Sequence, residues 1–169
     1  MNNTLTLKHI PIMFKNFRGA ADEFNAEGNR NFAAVIEDPA MAETLREEGW
    51  NIKEFTPKDS EDIIYYLPVK VSYKVMAPEI VAFAGKVKTV YTEDIVGLLD
   101  GASIKEASLT VTAYHWNMGK KSGVSAYLKK MLLILEVDEL DEMLAEMEAP
   151  EEPIGIPNLP DGDDLPFDT

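Results

Sequence analysis

Apolar and polar residues alternate along most of the first 137 positions, more often with the period of a strand than with that of a helix. Leu5 and Leu7 alternate with Thr4, Thr6 and Lys8. This predicts an opening strand that reaches Ile10 and bends at Pro11, a residue confined to edges and bends of sheets. The turn cluster Asn25-Ala26-Glu27-Gly28-Asn29-Arg30-Asn31 leads into a short strand over Phe32–Ile36, so the two runs predict a hairpin with a long loop. The clearest alternation covers 63–75. It sets Leu67, Val69, Val71, Tyr73 and Val75 on one face and Tyr66, Pro68, Lys70, Ser72 and Lys74 on the other. Two further strands flank Gly85, with Lys86 and Lys88 at alternate positions. From Ser108 to Trp116 one face carries Ser108, Thr110, Thr112, Tyr114 and Trp116; the other carries Leu109, Val111, Ala113 and His115. Gly119-Lys120-Lys121-Ser122-Gly123 reads as a basic turn. The run 124–137 closes the pattern. Its Leu132–Leu135 reads as a buried strand, yet 126–135 also fits a helix, because periodicity alone does not separate the two.

Helix signals are few. Asp38 can cap a helix with Pro39 at its first position, Met41, Ala42 and Leu45 on its apolar face and Gly49 at its end. Trp50, Ile52 and Phe55 then predict a strand. Thr92 to Gly101 predicts a second short helix, capped by Thr92 and stopped by Gly101. The tally is mainly β. It fits a small barrel of the oligonucleotide-binding kind with two short helices, and a two-sheet sandwich is the rival. No internal repeat is visible.

Charge divides the chain. Residues from Glu136 to Thr169 hold 13 of the 30 acids and none of the 16 Lys and Arg, so the formal charge of −14 splits into −13 for this stretch and −1 for the rest. The expected organisation is therefore a near-neutral domain over 1–137 and a flexible, disordered acidic tail over 138–169. Near the end, Asp163 and Asp164 precede an apolar hook, Leu165-Pro166-Phe167. A merely solubilising tail has no use for such a hook, because exposed apolar groups lower solubility.

Composition narrows the chemistry. There is no cysteine, which removes disulfides, thiolate metal sites and thiol nucleophiles. No apolar run approaches a membrane span of about 18 residues, and Met1-Asn2-Asn3-Thr4 has the form of no signal peptide, so a cytoplasmic protein is expected. His9 and His115 lie far apart inside strand patterns and read as structural. No glycine-rich phosphate loop, paired-histidine spacing or nucleophile motif occurs, and Asp161-Gly162-Asp163-Asp164 lacks the closing glutamate of a calcium loop. The expectation is a non-enzymatic protein without cofactor or metal.

A binding reading needs a positive track and exposed ring faces. Arg18, Arg30, Lys70, Lys74, Lys86, Lys88, Lys120 and Lys121 are the principal cations, with Lys15, Lys129 and Lys130 as further candidates. Phe17, Tyr66, Tyr114 and Trp116 are the candidate stacking rings. Tyr66 shares its face with Lys70 and Lys74, and Trp116 stands just before the Lys120-Lys121 turn.

Asp163-Asp164-Leu165-Pro166-Phe167 resembles the tail tip of bacterial single-stranded DNA-binding proteins, which end in acids, an aliphatic residue, Pro and Phe. In those proteins Phe is the last residue; here Asp168 and Thr169 follow it. The body is similar to phage-encoded single-stranded DNA-binding proteins with an oligonucleotide-binding fold. The segments that carry this likeness are Asn16-Phe17-Arg18-Gly19, Gly28-Asn29-Arg30-Asn31-Phe32, Tyr66-Leu67-Pro68-Val69-Lys70-Val71 and Ser122-Gly123-Val124-Ser125-Ala126-Tyr127-Leu128-Lys129. The resemblance implies binding of replicating or recombining single-stranded DNA, with Asp163, Asp164, Leu165, Pro166 and Phe167 recruiting a polymerase, helicase or primase. The alternative is a non-catalytic phage interaction or structural protein whose acidic tail only solubilises it.

Overall fold

The computed structural model describes residues 3–23, 25–74 and 77–137, together with Leu140 and Met143. The expected tail over 138–169, and with it the proposed hook, lies outside the described residues apart from those two positions.

Pro11 divides the opening strand as its missing N–H requires, into β1 (Thr4–Ile10) and β2 (Ile12–Asn16). β3 (Arg30–Ile36) follows the turn cluster and pairs antiparallel with β2, as the hairpin pattern predicts. Asp38 caps α1 (Pro39–Glu47) by accepting the Ala40 N–H at 3.0 Å. Gly49 ends this helix at φ 104°, and the Trp50 N–H returns to the Leu45 carbonyl at 3.0 Å. That return explains a shorter strand than expected. Trp50 and Ile52 are buried as the chain leaves the helix, and only β4 (Lys53–Phe55) joins the sheet.

β5 (Ile64–Val71) buries Leu67, Val69 and Val71 and turns Lys70 outward, so the alternation read there holds to Val71. The strand stops before 72–75; Tyr73 still packs on the core, and Val75 lies outside the described residues. β6 (Glu79–Ala84) and β7 (Val87–Val90) form the hairpin around Gly85. The second helix is a shorter 3₁₀ turn at Val96–Gly101. Thr92 prepares it with its carbonyl, which accepts the Ile95 and Val96 N–H groups at 3.1 and 2.9 Å, and not with a side-chain cap.

β8 (Ile104–Met118) and β9 (Lys121–Leu135) are both 15 residues long and pair along their whole length. Strand therefore prevails over helix across 126–135. The reason is tertiary: β9 is held on one edge by β8 and on the other by β5 at 126–127 and β6 at 130–135, both parallel to it. Beyond Ala113 and Ala126 the two strands pair only with each other among the described residues, as an arm that ends in the Gly119-Lys120 turn.

The sheet path runs β1-β8-β9-β5-β3-β2. Its first and last strands are consecutive in the chain and joined by Pro11 alone, so the path returns to its start and the sheet curls into a small barrel. Leu7, Phe17, Phe32, Leu67, Val69, Ile80, Leu99, Val111 and Leu133 fill the interior. Up to residue 137 the described residues form a mainly β fold with two short helical elements, as the hydropathy pattern predicts.

Candidate nucleic-acid interface

The barrel carries a groove of about 1140 Å³ where β2, β3 and β5 approach β9. Sheet register builds its floor. Asn16 pairs with Asn31, Asn31 with Lys70 and Lys70 with Tyr127, so four strands contribute one cross-strand row. The Lys70 ammonium stands over the Tyr127 ring at 5.9 Å, and the Arg30 guanidinium stands over the Tyr73 ring at 5.5 Å. Arg18, Lys53 and Lys74 complete the positive lining.

Several contacts fix these cations. Asp100 accepts the backbone N–H of Phe17 at 2.7 Å and of Arg18 at 3.1 Å, and its carboxylate lies 3.3 Å from Arg18 Nε. Gly97 makes room for this arrangement, because a Cβ there would lie 2.8 Å from Arg18 Cγ. The 3₁₀ helix thus sets the end of β2, and Lys15 secures it from below by donating to the carbonyls of Leu99 and Ala102. Lys15 also lines the groove, with its ammonium held by these two carbonyls. Arg30 reaches Glu93 at 3.5 Å. Tyr73 beside it donates to the Tyr91 carbonyl at 3.5 Å. Burial pushes the Tyr73 phenol pKa up; the Arg30 charge opposes the rise and Glu93 reinforces it.

On the far side the lining continues onto the arm. Tyr127 meets Tyr114 edge-on at 5.9 Å, and Tyr114 is 57% exposed. Trp116 comes next on the same face and lies across Gly123, where an added Cβ would fall 2.5 Å from the indole. Lys120 and Lys121 sit at the arm's tip.

The structure therefore brings Arg18, Arg30, Lys70 and Lys74 into one groove and joins it, through Tyr127, to Tyr114, Trp116, Lys120 and Lys121. Other expected residues fall elsewhere. Phe17 is fully buried and stacked on Phe32 at 5.3 Å, so it supports the groove from inside and offers no ring face. It follows directly on β2, which is bulged between Met13 and Asn16. Lys86 and Lys88 lie on the β6–β7 hairpin, away from the groove. Tyr66 stands at the margin, half-buried and edge-on to Phe14. Asp163, Asp164, Leu165, Pro166 and Phe167 lie outside the described residues.

Sequence reading overlooks Phe14, Lys53, Tyr73 and Tyr127. Tyr127 had a usable signal, since it stands between Ala126 and Leu128, and both of those are buried. Phe14 had none, because its direction depends on the bulge. Among the described residues no group of three or more His, Asp or Glu could hold a metal ion, and no helix is long and apolar enough to cross a membrane.

Comparison with known proteins bears on the fold and the family. No curated protein sequence matches the chain. Among solved structures, the single-stranded DNA-binding protein from bacteriophage Enc34 is similar in fold. Its C-terminally truncated form superposes with a TM-score of 0.52 at 7% identity, covering 80% of this chain and 88% of that one. The same phage's protein in a second structure gives a TM-score of 0.50 at 7% identity, covering 78% of this chain and 80% of that one. The family model described as "Putative phage ssDNA-binding domain" matches residues 1–165. A fold, a cationic groove lined with tyrosines and a match over nearly the whole chain converge: the protein belongs to the phage single-stranded DNA-binding domain family, a family of binding and not of catalysis.

Proposed function

We propose that this protein coats and protects single-stranded DNA during phage DNA replication or recombination in the host cytoplasm. The observation that carries the reading is the groove itself, in which Arg18, Arg30, Lys70 and Lys74 alternate with the faces of Tyr73 and Tyr127. Cations spaced among rings suit a flexible polyanion with unpaired bases. Affinity then comes from counterion release and stacking, and sequence preference is weak. The closed strand path, with a bent first strand and β5 parallel to β9, supports a barrel of the oligonucleotide-binding kind. The domain boundary near residue 137 belongs to the same proposal. The acidic segment 138–169 competes with DNA for the cations at low salt and recruits a replication protein through Asp163, Asp164, Leu165, Pro166 and Phe167.

Fluorescence anisotropy tests this with labelled single strands and duplexes across a salt series. The full chain should prefer single strands, and log affinity should fall linearly with log salt. Removal of residues 151–169 should tighten binding at low salt only. Equal affinity for duplex, or a flat salt response, would defeat the proposal; unchanged low-salt affinity after the deletion would remove the competitor role alone.

A further inference from the structure

We infer that Phe14 is a stacking platform for one unpaired nucleobase, held at the groove rim by a backbone conformation that phenylalanine rarely adopts. The inference rests on the single-strand-binding reading above and assigns it a residue.

The first observation is conformational. Three described residues other than glycine have positive φ: His9 at 54°, Phe14 at 54° and Asp59 at 66°. Two have local reasons. His9 donates its N–H to Ser108 Oγ at 3.0 Å and its ring meets the Glu106 carboxylate, while Asp59 sits in a turn, where a short polar side chain tolerates this region. Phe14 has no such polar partner in the described residues, and for a bulky side chain this backbone region is a real outlier. Such outliers persist where the surroundings over-determine them, and they gather at ligand clamps.

The second observation is what the strain achieves. The bulge in β2 shifts the register against β3 between Met13 and Asn16 and stands Phe14 at the groove lining, 50% exposed. Two rings brace it nearly at right angles: Phe55 at 5.1 Å and 88°, and Tyr66 at 5.6 Å and 80°. Phe17, on the far side of the same bulge, shows what a structural phenylalanine does here, since it is fully buried. A conformation spent only on packing would bury the ring; this one keeps half of it in solvent, stiffly oriented beside cations. Lys53 pairs with Tyr66 across β4 and β5 and lines the same groove, and it is the cation assigned here to the phosphate of the nucleotide whose base meets Phe14. Duplex bases already stack on one another and have no free face for such a platform, which makes Phe14 a source of preference for single strands.

The test uses the full chain and two oligonucleotides of equal length, one of thymidines and one with abasic sugars in their place. Phe14→Gly removes the ring and relieves the backbone. It should leave the thermal midpoint unchanged or raised while affinity for the thymidine strand drops roughly tenfold. On the abasic strand the variant and the parent should bind alike. Phe14→Leu keeps apolar cover over Phe55 and Tyr66 but lacks a π face; it should lose binding as the glycine variant does, and Phe14→Trp should retain it. Parental affinity in Phe14→Leu, or an equal drop on both strands, would overturn the inference and make Phe14 a cover for its neighbours. A parent that binds neither strand would instead refute the broader reading before any variant is made.

Discussion

Two depressions on the barrel look alike in sequence and differ in what they can hold. The groove beside β5 and Tyr127 is lined by Arg18, Arg30, Lys70 and Lys74 with tyrosine faces between them. The second, of about 570 Å³, lies across β1, β8, β9 and β6 and takes Lys8, Lys88 and Lys130. Its lining adds the acid Glu79, the rings of His9 and Phe83 and the apolar Val81, Leu109, Met131 and Leu132, and its hydroxyls Thr6 and Thr110 satisfy each other at 3.0 Å. Lysines borne on strands line both. Register sets a ring across from a lysine in each, Tyr127 for Lys70 and Phe83 for Lys88, but among the described residues cations stand over ring faces only in the first, Lys70 over Tyr127 at 5.9 Å and Arg30 over Tyr73 at 5.5 Å. A lysine on a strand therefore says little by itself; whether its ammonium stands over a ring face in the same groove decides whether it belongs to a binding track.

The comparison depends most on the support beneath the groove. Phe17→Ala should cost about 3–5 kcal/mol of stability, since it empties a fully buried ring position. Denaturant unfolding would measure it. A loss below about 1 kcal/mol together with lost DNA binding would move Phe17 from foundation to surface and undo the contrast with Phe14.

A smaller effect separates the two depressions directly. Lys70→Ala with Lys74→Ala should lower the slope of log affinity against log salt by about 1.4, near 0.7 for each phosphate contact on a single strand. Lys86→Ala with Lys88→Ala should leave the slope in place. Equal changes in the two double variants would mean that the strand also crosses the second depression.

The smallest effect concerns one wall of the groove. Burial raises the pKa of Tyr73 above the ordinary 10.0, so the folded chain holds this proton more tightly than the unfolded chain does. Its contribution to stability is complete below the ordinary value and is lost as pH rises through the raised one. In an ultraviolet alkaline titration Tyr73→Phe should remove a late-titrating phenol. Arg30→Ala should delay that phenol further, because the cation favours the phenolate. An earlier titration in Arg30→Ala would contradict the placement of Arg30 over the Tyr73 ring.

By itself the sequence determined the strand-rich body, the break at Pro11, the capped helix after Asp38, the buried face of β5 and the separation of charge beyond residue 135. Each of these is local: a missing N–H, a capping carboxylate, a period of two, a count of charges. Tertiary structure alone decided the rest. β9 is a strand throughout because β8, β5 and β6 flank it, where its own pattern read as a strand at 132–135 but also fitted a helix over 126–135. Lys70 and Lys88 were equivalent until the fold set one over the Tyr127 ring in the groove and the other on the β6–β7 hairpin outside it. Phe14 stands half-exposed at the groove and Phe17 fully buried because β2 is bulged between Met13 and Asn16, a break that the local pattern does not show. Alternation sorts residues to faces only while the register runs unbroken, and pairing partners, which local sequence does not encode, decide where it breaks.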